Sequence, residues 1–238
     1  MDGDAQDADH WRETHCRLEG PAVREILGGF LENWTEATQR ALAPSHVPDI
    51  PAFDDGIPVQ VSRSTPTTGG TAVAELFYAA IAGAQKRLWL TTAYFTAGEA
   101  FMGALCAAAE LGVDVRILVP DGRVDKEVIR RTSQRSYGRL LESGVRIFEY
   151  QRAMLHAKTL IVDDEWADVG SSNFDHRSFA LDSELNVSIF DAGVVDELGR
   201  HFLDDLEVSE EIDLERWRNR PLGRRAVELA GEVARQSL

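Results

Sequence analysis

His156, Lys158 and Asp163 form an H-x-K-x4-D run within M-L-H-A-K-T-L-I-V-D. In a strand, side chains two apart share a face, so His156 and Lys158 are expected to project together. Fourteen residues after His156 begins G-S-S-N-F-D-H-R-S. Its small residues permit close backbone approach, and the Asn173 amide can donate two hydrogen bonds. These are the parts of an oxyanion site. His156 can act as nucleophile or proton donor, while Lys158 and Asn173 hold the charge that grows on phosphoryl oxygens. No Asp, Glu or His cluster suggests a metal, so the cation is organic and no cofactor is expected. Cys16 and Cys106 match no zinc spacing and read as packing residues.

A catalytic histidine commonly has a carboxylate on its other ring nitrogen to fix tautomer and orientation. Asp163 lies an odd number of residues from His156, so a continuous strand points it to the opposite face. Its expected job is closing a hairpin turn. Glu184, on a neighbouring strand, is the expected orienting carboxylate.

The elements that position these residues follow from periodicity. E-T-H-C-R-L, from Glu13, reads as a short strand. Pro21 then opens a helix with Val23, Ile26, Leu27, Phe30, Leu31 and Trp34 on one face, which needs a partner surface. Residues 43–57 form a proline-broken linker. Beyond it, V-Q-V-S, R-L-W-L-T-T-A, V-D-V-R-I-L-V and V-R-I-F-E-Y alternate with helical stretches starting near Thr71, Ala97 and Asp125. K-T-L-I-V-D-D-E-W-A-D-V-G predicts a hairpin turning at Asp163 and Asp164, and E-L-N-V-S-I-F a further strand before a final helical region. The fold class is α/β: a mixed, mainly parallel sheet flanked by helices.

Charge narrows the partners. A net charge of −15 disfavours non-specific binding to nucleic acid and does not favour anionic lipid surfaces. The distribution is uneven, since residues 121–158 hold nine Lys or Arg against five Asp or Glu. No stretch approaches the roughly 20 apolar residues of a membrane span, and no signal segment opens the chain. The expected location is the cytoplasm or the periphery of the cytoplasmic membrane.

H-A-K-T-L-I-V-D followed by G-S-S-N-F-D-H-R-S resembles the signature of the phospholipase D superfamily, and within it the bacterial cardiolipin synthases. T-T-A-Y-F-T, D-V-R-I-L-V-P-D, L-L-E-S-G-V-R-I-F-E-Y and W-R-E-T-H-C-R-L-E-G-P-A-V are similar to segments of that family. The resemblance implies catalytic roles for His156, Lys158, Asn173 and Glu184, with Asp163, Ser171, Arg177 and Ser178 in support. It also implies a phosphohistidine intermediate, formed by one histidine while a second protonates the leaving alcohol. Ala93, Asp182 and Ala153 depart from residues common in the family, which bears on substrate fit more than on chemistry.

Such chemistry takes two motifs, and this sequence carries one. A weak repeat sets E-T-H-C-R-L-E-G-P-A-V-R-E-I-L, from Glu13, against E-L-N-V-S-I-F-D-A-G-V-V-D-E-L, from Glu184. With the resemblance, the repeat casts Glu13 as the orienting carboxylate of a first-half histidine outside this chain. The expected organisation is therefore a first-half remnant at 1–42, a linker at 43–57 and a second phospholipase D-like domain at 58–238. The leading expectation is the C-terminal half of a phosphatidyl transferase acting on a phosphatidylglycerol-like lipid with a separate first-half chain. The alternatives are a homodimeric single-motif phosphodiesterase or nuclease, and an inactive phosphate-binding remnant.

Overall fold

Apolar side chains alternate along three neighbouring strands of this chain, and that alternation explains why helices cover both faces of its sheet. The computed structural model describes residues 7, 9–43, 48–53, 55–65, 71–123 and 127–219. In chain order the elements are β1 (Trp11–Arg12), α1 (Val23–Thr38), β2 (Val59–Ser64), α2 (Ala72–Gly83), β3 (Arg87–Thr91), β4 (Phe95–Thr96), α3 (Glu99–Glu110), β5 (Asp114–Pro120), α4 (Glu127–Glu142) and β6 (Arg146–Tyr150). There follow β7 (Met154–Leu155), β8 (Thr159–Val162), β9 (Trp166–Gly170), β10 (Phe174–Asp175), α5 (His176–Ala180), β11 (Glu184–Ile189), α6 (Ala192–Glu207), β12 (Ser209–Glu211) and α7 (Leu214–Arg218).

Eight strands form one sheet in the order β12-β6-β5-β3-β8-β9-β11-β2. Leu88 and Leu90 of β3, Val115, Ile117 and Val119 of β5, and Leu160 and Val162 of β8 join one core with α2, α3 and α4. Trp89, Leu118 and Ile161, from the same strands, face the other way and pack with Val195, Leu198 and Phe202 of α6. Both cores exclude water from large apolar surfaces, the main favourable term in folding.

The sheet is mixed, as expected, but the proportion differs from the sequence reading. Two of its seven ladders, β3–β5 and β5–β6, are parallel, and the other five are antiparallel. Strand-helix alternation ends at β6, and the two hairpin-like returns through β8, β9 and β11 make antiparallel pairs instead. The predicted strand at residues 13–18 also fails to form. Those residues lie outside any ladder, and β1 just before them pairs with β7. Helix α1 forms from the predicted position, but Phe30 and Trp34 of its apolar face remain 53% and 38% exposed. Arg220 and the rest of the C-terminal helical region beyond residue 219 lie outside the described residues, as do His46 and Asp125.

The hairpin between β8 and β9 turns where predicted. Asp163 has φ 53°, in the left-handed region that Asp and Asn tolerate better than most residues. Its carboxylate also accepts the backbone N–H groups of Gln85, Lys86 and Arg87 at 3.1, 2.7 and 3.1 Å, tying the turn to the entry of β3. Trp217 of α7 packs on Tyr137 of α4, ring centroids 5.3 Å apart, and closes that end of the core. Among the described residues no helix is long and apolar enough to cross a membrane.

Candidate active site

The short ladder between β1 and β7 builds the centre of the site. Trp11 pairs with Met154 and Arg12 with Leu155, in parallel. The Arg12 carbonyl then accepts the N–H groups of both His156 and Ala157, at 2.9 and 3.0 Å. The next residue in each chain segment is therefore delivered to the same place. Glu13 Oε1 lies 2.6 Å from His156 Nδ1, and the Trp11 ring packs 4.7 Å from the imidazole. With a carboxylate that close, Nδ1 carries the proton and donates it, leaving Nε2 as the nitrogen for a reacting atom.

This corrects the expected orienting residue. The sequence reading put Glu184 beside His156 and gave Glu13 to a histidine outside the chain; Glu13 holds His156 itself. Glu184 opens β11 opposite Ser64 of β2, and its carboxylate accepts the Ser171 hydroxyl. No continuous strand runs from His156 to Asp163, since β7 ends at Leu155 and β8 begins at Thr159.

Lys158 does meet His156, though in the gap between two strands rather than on one strand face. Its ammonium donates to the His156 carbonyl and lies 2.9 Å from Nδ1. Because Nδ1 is itself a donor to Glu13, the lysine contact there is a close approach of charge and not a second hydrogen bond. Beside Lys158, Gly170 at the end of β9 donates its N–H to the Lys158 carbonyl at 3.3 Å. A Cβ at Gly170 lies 2.5 Å from the Leu185 carbonyl and 2.6 Å from Asn186 Cα, so only glycine permits this approach.

Tyr94 links the second motif to the first. Its N–H donates to Asn173 Oδ1 at 3.3 Å, and its ring meets the His156 ring edge-on at 6.5 Å. With Oδ1 engaged, the Asn173 NH2 is the half of the amide left to donate. The Asn173 backbone N–H is held by Ser178 Oγ at 3.0 Å, and the buried Ser178 is fixed in turn because its N–H donates to Asp175 Oδ1 at 2.8 Å. Ser178 therefore acts on the Asn173 backbone. Arg177 turns outward and pairs with Asp182 at 2.7 Å, and Ser171 serves Glu184 and the N–H of Leu185. His176 starts α5 on the surface.

Beneath the second motif lies a polar chain that sequence reasoning missed. Ser172 Oγ donates to Asn186 Oδ1 at 2.6 Å, Asn186 Nδ2 to Asp168, and Ser188 Oγ to Asp168 Oδ2 at 2.9 Å. All four residues are buried. Burial pushes the Asp168 carboxyl above its ordinary range, against the smaller opposing pull of the Asn186 and Ser188 hydrogen bonds. Its sequence signal is faint, a polar residue at alternating positions in a strand that is otherwise apolar. Trp11, Arg12 and Tyr94 were also missed as neighbours of the motif, although the stretches carrying them were among those resembling the family.

Comparisons with known proteins identify the family. The family model described as the phospholipase D-like domain of cardiolipin synthase matches residues 77–206. A cardiolipin synthase of Halalkalibacterium halodurans is 40% identical over 212 residues, 88% of this chain and 42% of that protein. One of Geobacillus sp. is 37% identical over 220 residues, 92% of this chain and 44% of that protein. The chain thus spans less than half the length of these relatives. Among solved structures, the phospholipase D family member Nuc from Salmonella typhimurium superposes with a TM-score of 0.57 at 26% identity, over 66% of this chain and 99% of Nuc. Haemophilus influenzae phosphatidylserine synthase shares the fold at 18% identity and a TM-score of 0.52, over 82% of this chain and 48% of that protein. The matched segment carries both halves of the motif and six of the eight strands of the large sheet, and the chain belongs to the family of cardiolipin synthase phospholipase D-like domains.

Proposed function

We propose that this chain supplies one histidine half-site of a phosphatidyl transferase acting on phosphatidylglycerol-like lipids by way of a phosphohistidine. The observation that carries the reading is the 2.6 Å contact between Glu13 and His156 Nδ1, which turns Nε2 into the reacting nitrogen. Lys158 and the Asn173 amide are the organic counterpart of a metal, holding negative charge on the phosphoryl oxygens as it develops. His156 either attacks phosphorus, displacing the alcohol, or protonates that alcohol as it leaves. A second histidine takes the other role, because one imidazole cannot serve as nucleophile and leaving-group acid in the same step.

The repeat suggests where the second histidine belongs. Glu13 and Glu184 start corresponding segments, and Glu13 serves a histidine on the other side of the repeat from itself. By the same crossing, Glu184, now held by Ser171, is the carboxylate for a histidine brought by the first half. Residues 13–18 border an open cleft of about 1290 Å³ lined also by Ile57, Ile189 and Leu198, the face on which such a half is proposed to pack. On this reading residues 1–42 are a first-half remnant in sequence, although Arg12 and Glu13 are held by the second domain; 43–57 are the linker and 58–238 the second domain.

A homodimeric phosphodiesterase is the second reading, favoured by Nuc, whose whole length fits within two thirds of this chain. It leaves Glu184 without a histidine, since each His156 already has Glu13. The test is to mix the purified chain with a first-half chain carrying its own H-x-K motif and to supply phosphatidylglycerol vesicles. The expected result is cardiolipin and glycerol in the mixture, lost in His156→Ala. Equal transfer by the His156→Ala mixture, or none under any mixing, refutes the proposal.

A further inference from the structure

The contact between Glu13 and His156 depends on a backbone segment that belongs to no large sheet. Residues 13–18 lie outside every ladder, and β1 contributes only two residues to its pairing with β7. So short a ladder is weak by itself. What fixes the segment is a side chain. Arg12 Nε and Nη2 grip the two carboxylate oxygens of Asp205 on α6, at 2.9 and 2.8 Å. Arg12 Nη1 donates to the carbonyl of Glu13 and lies 3.4 Å from Thr14 Oγ1. One guanidinium thus ties α6 to the backbone of the very residue that holds His156, while the Arg12 carbonyl takes the His156 N–H from the other side.

From this arrangement we infer that Asp205 is a positioning residue: through Arg12 it sets where the Glu13 carboxylate lies, and so which nitrogen of His156 carries the proton. The two side chains are only 16% and 12% exposed, so solvent does little to screen the pair. The fork matters as well as the charge. Two parallel N–H···O bonds fix the plane of the guanidinium, and a third N–H of the same rigid group is then aimed at Glu13. Asp205 itself is anchored by α6, whose Phe202 stacks on Trp89 at 5.1 Å in the core. The sequence offers no hint of it, because Asp205 lies 193 residues from Arg12.

The inference rests on Glu13 orienting His156, and nitrogen-15 spectra of the histidine rings in the intact chain test the two separately, with no substrate and no partner half. The neutral wild-type ring is expected to show His156 as the Nδ1–H tautomer, and Glu13→Gln to lose that preference. A wild-type ring without it refutes the role of Glu13 and the inference together. Given the wild-type signature, Asp205→Asn is expected to reduce the Nδ1–H population at least two-fold, because the amide satisfies one arm of the fork and leaves Arg12 free to swing. Arg12→Lys, which keeps the cation and loses the fork, is expected to do the same even where Asp205→Asn does not fold. Phe202→Leu, which loosens the same helix without touching the pair, is expected to keep the wild-type tautomer. Unchanged tautomer in folded Asp205→Asn or Arg12→Lys, or an equal change in Phe202→Leu, overturns the assignment.

Discussion

The proposed role of His156 rests on what surrounds it within 5 Å: a carboxylate on Nδ1, a lysine ammonium at the same edge and a tryptophan ring tilted beside it. Glu13→Gln keeps the shape of that contact and removes the charge that stabilises an imidazolium. In an assembly that turns over, the expected loss is up to about 10⁴ in kcat, with substrate binding little changed. Glu184→Gln is expected to slow the same assembly without altering the His156 ring. Steady-state kinetics and ring spectra on the two variants check this, and normal turnover in Glu13→Gln refutes the geometry's meaning. His156, Lys158 and Asn173 were legible in the sequence, since their spacing is local and chemically distinctive. Glu13 was visible only as an orienting carboxylate and was given the wrong histidine. The contact spans 143 residues and hangs on a two-residue ladder, and no local pattern encodes that.

Among the elements, β9 and β11 do the most to shape the site, because their ladder sets Gly170 against Asn186. Gly170→Ala forces a Cβ into the Leu185 carbonyl, so a destabilisation of about 3 kcal/mol is expected, read as a lower urea midpoint. An unchanged midpoint contradicts the packing described. The Asp168 chain below gives a pH signature with a definite sign. Its folded-state carboxyl ionises above the ordinary 3.8, so between that value and the folded one the native chain binds more protons than the unfolded chain. Stability from this group is present below about pH 4 and is lost as pH rises through the folded value. Asn at 168 can accept from Asn186 and donate to Ser188, so Asp168→Asn should gain on wild type with rising pH and then level off. Denaturation across a pH series checks it, and a gap that stays constant contradicts it. Elements with strong periodicity, such as β3, β5 and α2, were read correctly from sequence. The strand at 13–18 was not, because pairing needs a neighbour and periodicity is silent about neighbours. The share of parallel ladders was overestimated for the same reason.

On the scale of the molecule, the described residues form one eight-stranded sheet with the candidate site where β8 begins and β9 ends, and one histidine motif, in a family whose members here are more than twice the length of this chain. Residues 121–158 carry a surplus of four positive charges in a chain of net charge −15, but Arg139 and Arg146 pair with Glu99 and Glu211 from outside that segment, which offsets part of the surplus. The proposed mechanism gives Lys158 and Asn173 the electrophilic role, so transfer by any active assembly is expected to survive EDTA. Turnover that disappears in chelator and returns with a divalent ion contradicts this. The decisive test of a half-site is the multiple-turnover rate of purified, sized monomer with phosphatidylglycerol vesicles. The expected result is no turnover, because a single imidazole held by Glu13 lacks the second acid-base partner. Sustained turnover by the monomer, lost in His156→Ala, is the result that contradicts it.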